Sequence, residues 1–307
     1  MNYTLHQLQV FLKVTETLSI TKAAQELYLT QPAVSIQLKN FQDQFDIPLT
    51  EVVGRKVFVT DFGKEIAIAA EKILAEVNAI NYKTLAYKGQ LIGKLKISAV
   101  STGKYVMPFF LSDFMKSHEG IELSLDVTNK SSVIQSLEKN EVDFSLVSIL
   151  PENLSIDSIT LMENKLYLVN SKPLNKKQKY FDKSILSEVP LIYREQGSGT
   201  RQTMEMFLKA NNLPVKKKME LTSNEAVKQA VIAGLGYSVL PLIGIKNEVI
   251  NGDLHVIPVK EFPIKSTWRL IWLKNKKFSP AASAFLHYLE KEKEDIIKQT
   301  FGWYELY

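Results

Sequence analysis

The 307-residue chain contains no cysteine. That excludes disulfides, thiol nucleophiles and cysteine-based zinc sites. Histidine is scarce as well. His6, His118, His255 and His287 are scattered, without metal-ligand spacing and without a Ser/His/Asp arrangement. No catalysis, metal or cofactor is therefore expected. "GSGT", residues 197–200, lacks the lysine that a Walker loop places at its end. No apolar run approaches the roughly 20 residues of a membrane span. Met1–Val10 has no basic start followed by an apolar core, so it does not read as a secretory signal. The expected location is the cytoplasm, with no membrane partner. The net charge of +5 is no evidence for nucleic acid by itself. In residues 1–60, Lys13, Lys22, Lys39, Arg55 and Lys56 are offset by Glu16, Glu26, Asp43, Asp46 and Glu51. The excess sits in later runs such as Lys176-Lys177 and Lys216-Lys217-Lys218, which read as solvated faces.

What is present has helical and then mixed periodicity, and its length favours more than one domain. Leu5, Leu8, Phe11, Leu12 and Thr15 predict a helix from about residue 4 to 17. Ser19 or Thr21 suits the N-cap of a second helix burying Ala23, Ala24 and Leu27. Thr30 suits the N-cap of a third, with Pro32 tolerated in its first turn. Val34, Leu38, Phe41 and Phe45 form its apolar stripe, so Gln31, Pro32, Ser35, Ile36 and Lys39 point outward. An amide, a hydroxyl and an ammonium on the N-terminal outer face of a docked helix suit a major-groove reader. An ordinary helical hairpin with a solvated face has the same periodicity. "VVGRKVFVT", residues 52–60, adds a short hairpin with Arg55 and Lys56 at its tip, placed to hold phosphates or enter the minor groove.

Residues 4–63 resemble the winged helix-turn-helix of LysR-type transcriptional regulators. The resemblance rests on Phe11, Ser19, Ala23-Ala24, Leu27, Thr30-Gln31-Pro32-Ala33-Val34-Ser35, Leu38, Arg55, Thr60 and Gly63. It implies that Gln31, Pro32 and Ser35 approach bases and that Arg55 lies in the wing. Two departures stand out. Ile36 replaces a basic or polar residue and is placed to meet a thymine methyl. Leu49-Thr50-Glu51-Val52 replaces the usual Leu-Phe-x-Arg.

Residues 61–89 read as one long helix. Ile66, Ala70, Ile73, Val77, Ile80, Thr84 and Tyr87 alternate spacings of four and three, the seam of a coiled coil. Pairing two chains through it would present two reading helices to a pseudo-palindromic operator in double-stranded DNA.

After Gly93, strands alternate with helices, and the pattern occurs twice. "KLKISAV", "IELSLDV" and "VDFSLV" make one β-α-β-α-β unit; "VPLIYRE", "KKKMELT" and "GYSVLP" make the other. Each is expected to form a parallel sheet, and paired lobes bind ligands in the crevice at the carboxyl ends of their strands. Ser101-Thr102, Asn129 and Gly197-Ser198-Gly199-Thr200 end such strands at helix starts, where free N–H groups favour anions. Each residue alone reads equally as an N-cap of its own helix. Lys104 and Lys130 flank the first-lobe loops, facing either the crevice or water.

This region resembles the LysR-type effector domain, with its periplasmic-binding-protein-like fold. "REQGSGTR", residues 194–201, resembles regulators of carbon fixation and related anionic-metabolite pathways. The resemblance implies inducer contacts at Ser101, Thr102, Asn129, Thr200 and Arg201, a homodimer or homotetramer, and RNA polymerase as a possible further partner. The expected fold is thus multidomain: an all-α winged helix-turn-helix and an α/β two-lobed domain, joined by a long linker helix. The expected boundaries are 1–60, 61–89 and 90–307, with one lobe over 90–163 plus 267–307 and the other over 164–266. The function expected is transcriptional regulation modulated by a small anionic metabolite. A small-anion-binding transport component is the alternative, and an anion-binding transferase is a third reading.

Overall fold

The computed structural model describes residues 2–53, 56–86, 91–173, 179–214 and 217–307. The chain divides into two compact units, Met1–Gln90 and Leu91–Tyr307.

Helix α1 (Leu5–Thr17) starts with a capping box between Thr4 and Gln7. Ser19 caps α2 (Ile20–Glu26), and Thr30 caps α3 (Gln31–Gln42). Val34, Leu38 and Phe41 are buried as their spacing requires, and Phe41 meets Phe11 at 5.1 Å between ring centroids. Burying each such side chain stabilises by about 1.5–3 kcal/mol. Leu5 is exposed, contrary to the expected stripe, whereas Val10 and Val14 are fully buried. The reason is that α1 is covered by α2, α3 and α4 together, which widens its apolar face beyond one stripe.

Strands β1 (Thr50–Val53) and β2 (Lys56–Val59) form the antiparallel wing. Arg55 at its tip lies outside the described residues. The Gln42 side chain accepts from the Thr50 N–H at 2.9 Å and ties the wing to α3. The wing then closes onto α4 (Asp61–Ala86). Thr60 Oγ1 donates to Pro48 O at 2.7 Å and accepts from Gly63 N at 2.9 Å. A Cβ at Gly63 would stand 2.0 Å from Leu49 O, so only glycine permits this approach.

The seam of α4 needs a correction. Ala70 is 1% exposed within a single chain, and Ile66 is packed beside it on the same winged-helix core, with Ala67 and Leu74. These two residues stabilise their own domain. Ile73 and Ile80 are exposed, with Val77 half-buried between them. The Thr84 side chain and Tyr87 lie outside the described residues.

The second unit contains β3 (Gly93–Val100), α5 (Met107–Ser117), β4 (Ile121–Thr128), α6 (Lys130–Glu138) and β5 (Phe144–Val147). Strand β3 pairs in parallel with β4 and β5, as expected. Strand β6 (Ile156–Asn170) and the short α7 (Ile185–Glu188) follow. The second lobe comprises β7 (Leu191–Arg194), α8 (Gly199–Ala210), β8 (Lys217–Leu221), α9 (Asn224–Ile232), β9 (Ser238–Pro241) and α10 (Lys246–Asn251). Strands β7 and β8 are parallel, and Tyr237 bridges to Leu191 beside β9. The unit ends with β10 (His255–Val256), β11 (Ile264–Leu273) and α11 (Pro280–Phe301).

The lobes are not two separate parallel sheets. Strand β11 runs antiparallel to residues 156–166 of β6 over its whole length and also pairs with β5, and β6 continues to β9 and β10. Two long strands thereby join the lobes, with an irregularity at Trp268/Arg269. The aromatic tail docks on β6: Tyr304 Oη accepts from Lys165 N at 2.7 Å, and Tyr167 Oη donates to Tyr307 O at 2.8 Å. No helix among the described residues is long and apolar enough to cross a membrane.

Candidate functional sites

On α3, packing of Val34 and Leu38 turns the opposite face to solvent. Gln31, Pro32, Ile36 and Lys39 are exposed, and Ser35 is half-buried. Thr30 is occupied as the N-cap, its Oγ1 accepting from Ala33 N at 3.4 Å. Ile36 is 57% exposed, an apolar side chain held out to solvent among polar ones. Lys56 is exposed at the start of β2. Lys13 is not part of this surface: it pairs with Glu16 at 2.6 Å and Glu26 at 3.1 Å, joining α1 to α2.

Between the lobes, the strand ends converge on one small pocket. Ser101, Thr102, Asn129, Lys130 and Ser148 come from the first lobe; Ser198, Gly199 and Thr200 come from the second. The remaining space is about 10 Å³, roughly room for one water molecule. Direct bonds hold the lobes together around it. Ser101 Oγ accepts from Arg194 Nη1 at 3.2 Å and from Asn224 Nδ2 at 3.0 Å. Lys130 Nζ donates to Gln202 Oε1 at 2.9 Å, and Ser131 N donates to Gly197 O at 3.3 Å.

The capping reading of these loops holds for two residues. Asn129 Oδ1 accepts from Ser132 N at 3.0 Å, and Ser198 Oγ accepts from Arg201 N at 3.5 Å. The hydroxyls of Thr102 and Thr200, both buried, line the pocket. Gly197 stands outside it, on an adjoining cavity of about 430 Å³. At its φ of +89°, any Cβ would also stand 2.6 Å from Ser131 Oγ, so the closed contact requires glycine.

Arg201 is not brought into the pocket. Its guanidinium pairs with Glu205 and Glu220, each at 2.7 Å, and lies over the Tyr193 ring. Arg194, whose side chain is 2% exposed, is neutralised by a two-pronged pair with Glu195. The pocket's remaining cation is Lys130, whose pKa burial pushes down from the ordinary 10.5. Ser148 gave no signal in the sequence, because its place at the pocket depends on how the lobes close. Asn224 stands at the helix start expected after the second strand of its lobe, and it reaches Ser101 across the lobes. Asn224 Oδ1 is buried without a hydrogen-bond partner among the described residues.

Comparison with known proteins shows the family. A model of the bacterial regulatory helix-turn-helix protein, lysR family, matches residues 5–64, and one of the LysR substrate binding domain matches residues 88–294. The HTH-type transcriptional activator CmpR of Synechocystis sp. is 39% identical over 303 residues, covering 98% of this chain and 99% of that protein. The RuBisCO operon transcriptional regulator of Allochromatium vinosum is 36% identical, covering 95% of this chain and 97% of that protein. Among solved structures, the Synechocystis PCC6803 CcmR regulatory domain in complex with 2-PG is 33% identical with a TM-score of 0.63, covering 66% of this chain and 98% of that one. Full-length CbnR complexed with target DNA has the same fold at 20% identity and a TM-score of 0.64, covering 94% of this chain and 99% of that one.

Proposed function

Given that the chain belongs to the LysR family of DNA-binding transcriptional regulators, we propose that its inter-lobe cleft takes a small phosphorylated acid of the 2-PG kind. A regulator that acts on operator DNA works in the cytoplasm and needs no catalytic step. Operator bases are read by Gln31, Pro32, Ser35 and Ile36 of α3, and phosphates are held by Lys39, Lys56 and the wing. Ile73 and Val77 supply the chain-to-chain seam, and the hinge lies near residues 163 and 267, where β6 and β11 pair. The observation that carries the effector reading is the pocket itself: serine and threonine residues from both lobes line it with Lys130, a cation with no carboxylate in hydrogen-bond contact among the described residues. A dianion there would replace the neutral Gln202 acceptor of Lys130 with a charged one, making an ion pair. At about 10 Å³ the pocket must open to admit it, and a ligand that prefers one lobe angle then shifts the population of DNA-binding states. A transport component is not favoured, because the helix-turn-helix model covers residues 5–64.

The test is a calorimetric titration of the full chain with 2-phosphoglycolate, alongside a DNase footprint. Thr102→Val and Thr200→Val should each weaken the ligand by about 0.5–1.5 kcal/mol, or two- to twelvefold, and keep ligand-free operator binding. Equal affinity in all three proteins would place the ligand elsewhere.

A further inference from the structure

The 3-10 turn Ser101–Tyr105 serves two cavities. Its first residues line the cleft pocket, and its last two, Lys104 and Tyr105, line a separate space of about 480 Å³. That volume lies in the range of small-molecule sites, about 300–1,000 Å³. Both lobes and the chain end build its walls. Phe109 comes from α5, Phe301 and Trp303 from the C-terminal segment, and Gly244 and Lys246 from the second lobe.

Two features of the lining select a ligand. The first is charge. Lys228 is fully used by Glu248 at 2.6 Å and Glu225 at 3.0 Å. Lys104 and Lys246 have no salt bridge within 4.0 Å to a described carboxylate, and Glu225 acts on Lys104 only at longer range. Each instead rests on a ring: Lys104 at 5.0 Å from the Tyr105 centroid and Lys246 at 4.4 Å from that of Trp303. The second feature is exposed aromatic surface. Phe109 is 49% exposed although it packs edge-on against Phe301 at 5.5 Å. An inorganic anion would leave these rings wet, and a neutral aromatic would leave both ammonium groups unused.

We propose that this cavity is a second ligand site, taking a small anion that carries a flat aromatic ring. The anionic group meets Lys104 and Lys246, and the ring lies among Tyr105, Phe109 and Trp303. The site goes beyond the cleft reading and does not depend on it. The lobes also touch here: a Cβ on Gly244 would stand 3.0 Å from the Tyr105 ring. A ligand spanning them therefore favours the closed arrangement, and any cleft ligand that shares this preference binds more tightly in its presence.

The full chain is titrated by calorimetry with 2-naphthoate, with 2-naphthamide (same ring, no charge) and with decahydro-2-naphthoate (same charge, no aromatic face). Saturable 1:1 binding of 2-naphthoate, at least tenfold tighter than either analogue, is expected. Lys104→Gln with Lys246→Gln should weaken it about tenfold, and Phe109→Ala, at a half-exposed position, should do so independently. Thr200→Val, in the cleft, should leave the 2-naphthoate affinity unchanged. Absence of saturable heat up to millimolar probe overturns the proposal, as does wild-type affinity in both the lysine and the Phe109 variants. Loss of binding in Thr200→Val would put the probe in the cleft and overturn it as well.

Discussion

The outer face of α3 and the inter-lobe cleft use the same few residue types in opposite states. On α3, Gln31 and Lys39 stand in solvent with no side-chain hydrogen bond among the described residues. In the cleft, Ser101, Lys130 and Asn129 already have partners, two of them across the lobes. The first surface is preformed, and any new contact it makes displaces no existing side-chain bond of these two residues. The second must exchange existing bonds for new ones, so its net gain per bond is the small difference between them. Packing sets the contrast: α3 buries one stripe and leaves the rest free, whereas the cleft is closed by its own lobes.

The largest expected effect removes one region and spares the other. Gly63→Ala puts a methyl group 2.0 Å from Leu49 O, where α4 meets the wing. Forcing that contact apart should cost about 3 kcal/mol. Operator affinity should collapse while calorimetric binding of 2-phosphoglycolate persists; joint loss of both would show that the two regions are not energetically separate. Next in size, Gln31→Ala should lower discrimination between operator and scrambled DNA by about 1–3 kcal/mol. Lys56→Ala should instead weaken both sequences alike and reduce the salt slope by about one unit. A specificity ratio that stays unchanged in Gln31→Ala would remove α3 as the reader.

The smallest effect is in the cleft and concerns pH. Burial lowers the pKa of Lys130 from 10.5, so its charged form is lost earlier as pH rises. Above about pH 7 a phosphate monoester is already a dianion, and the remaining change is that of Lys130. Affinity for 2-phosphoglycolate should therefore fall with rising pH, starting below the ordinary lysine range. Lys130→Gln should bind more weakly and flatten that profile, and a slope retained in Lys130→Gln would assign the titration to another group.

Much of the architecture was legible because it is local. A cap, a stripe at helical spacing and a strand with a turn after it are fixed within about a dozen residues. Thr30, Val34, Leu38 and the outward Gln31 are of this kind, and so are the helical starts at Ser101 and Gly199. The wing's need for Thr60 and Gly63 was visible only as a resemblance; its cause is the approach to Leu49 O from 14 positions away.

By itself, the sequence determined the N-terminal helices and wing, the long helix after them, the doubled β-α-β-α-β pattern and the polar face of α3, but not the long β6 and β11 that join the lobes. Only the tertiary structure decided which of two equivalent local fates each side chain took. Ile66 and Ala70 share the seam's spacing with Ile73, but the first two pack into the winged-helix core and the third is exposed. Arg201 sits in the expected loop, yet Glu220, from a strand 19 residues on, helps draw its guanidinium out of the pocket. Lys130 could have faced water until Gln202, 72 residues away, closed over it. Periodicity describes a residue's own element; a contact across such separations exists only after the chain has folded, and it is there that charge and burial are settled.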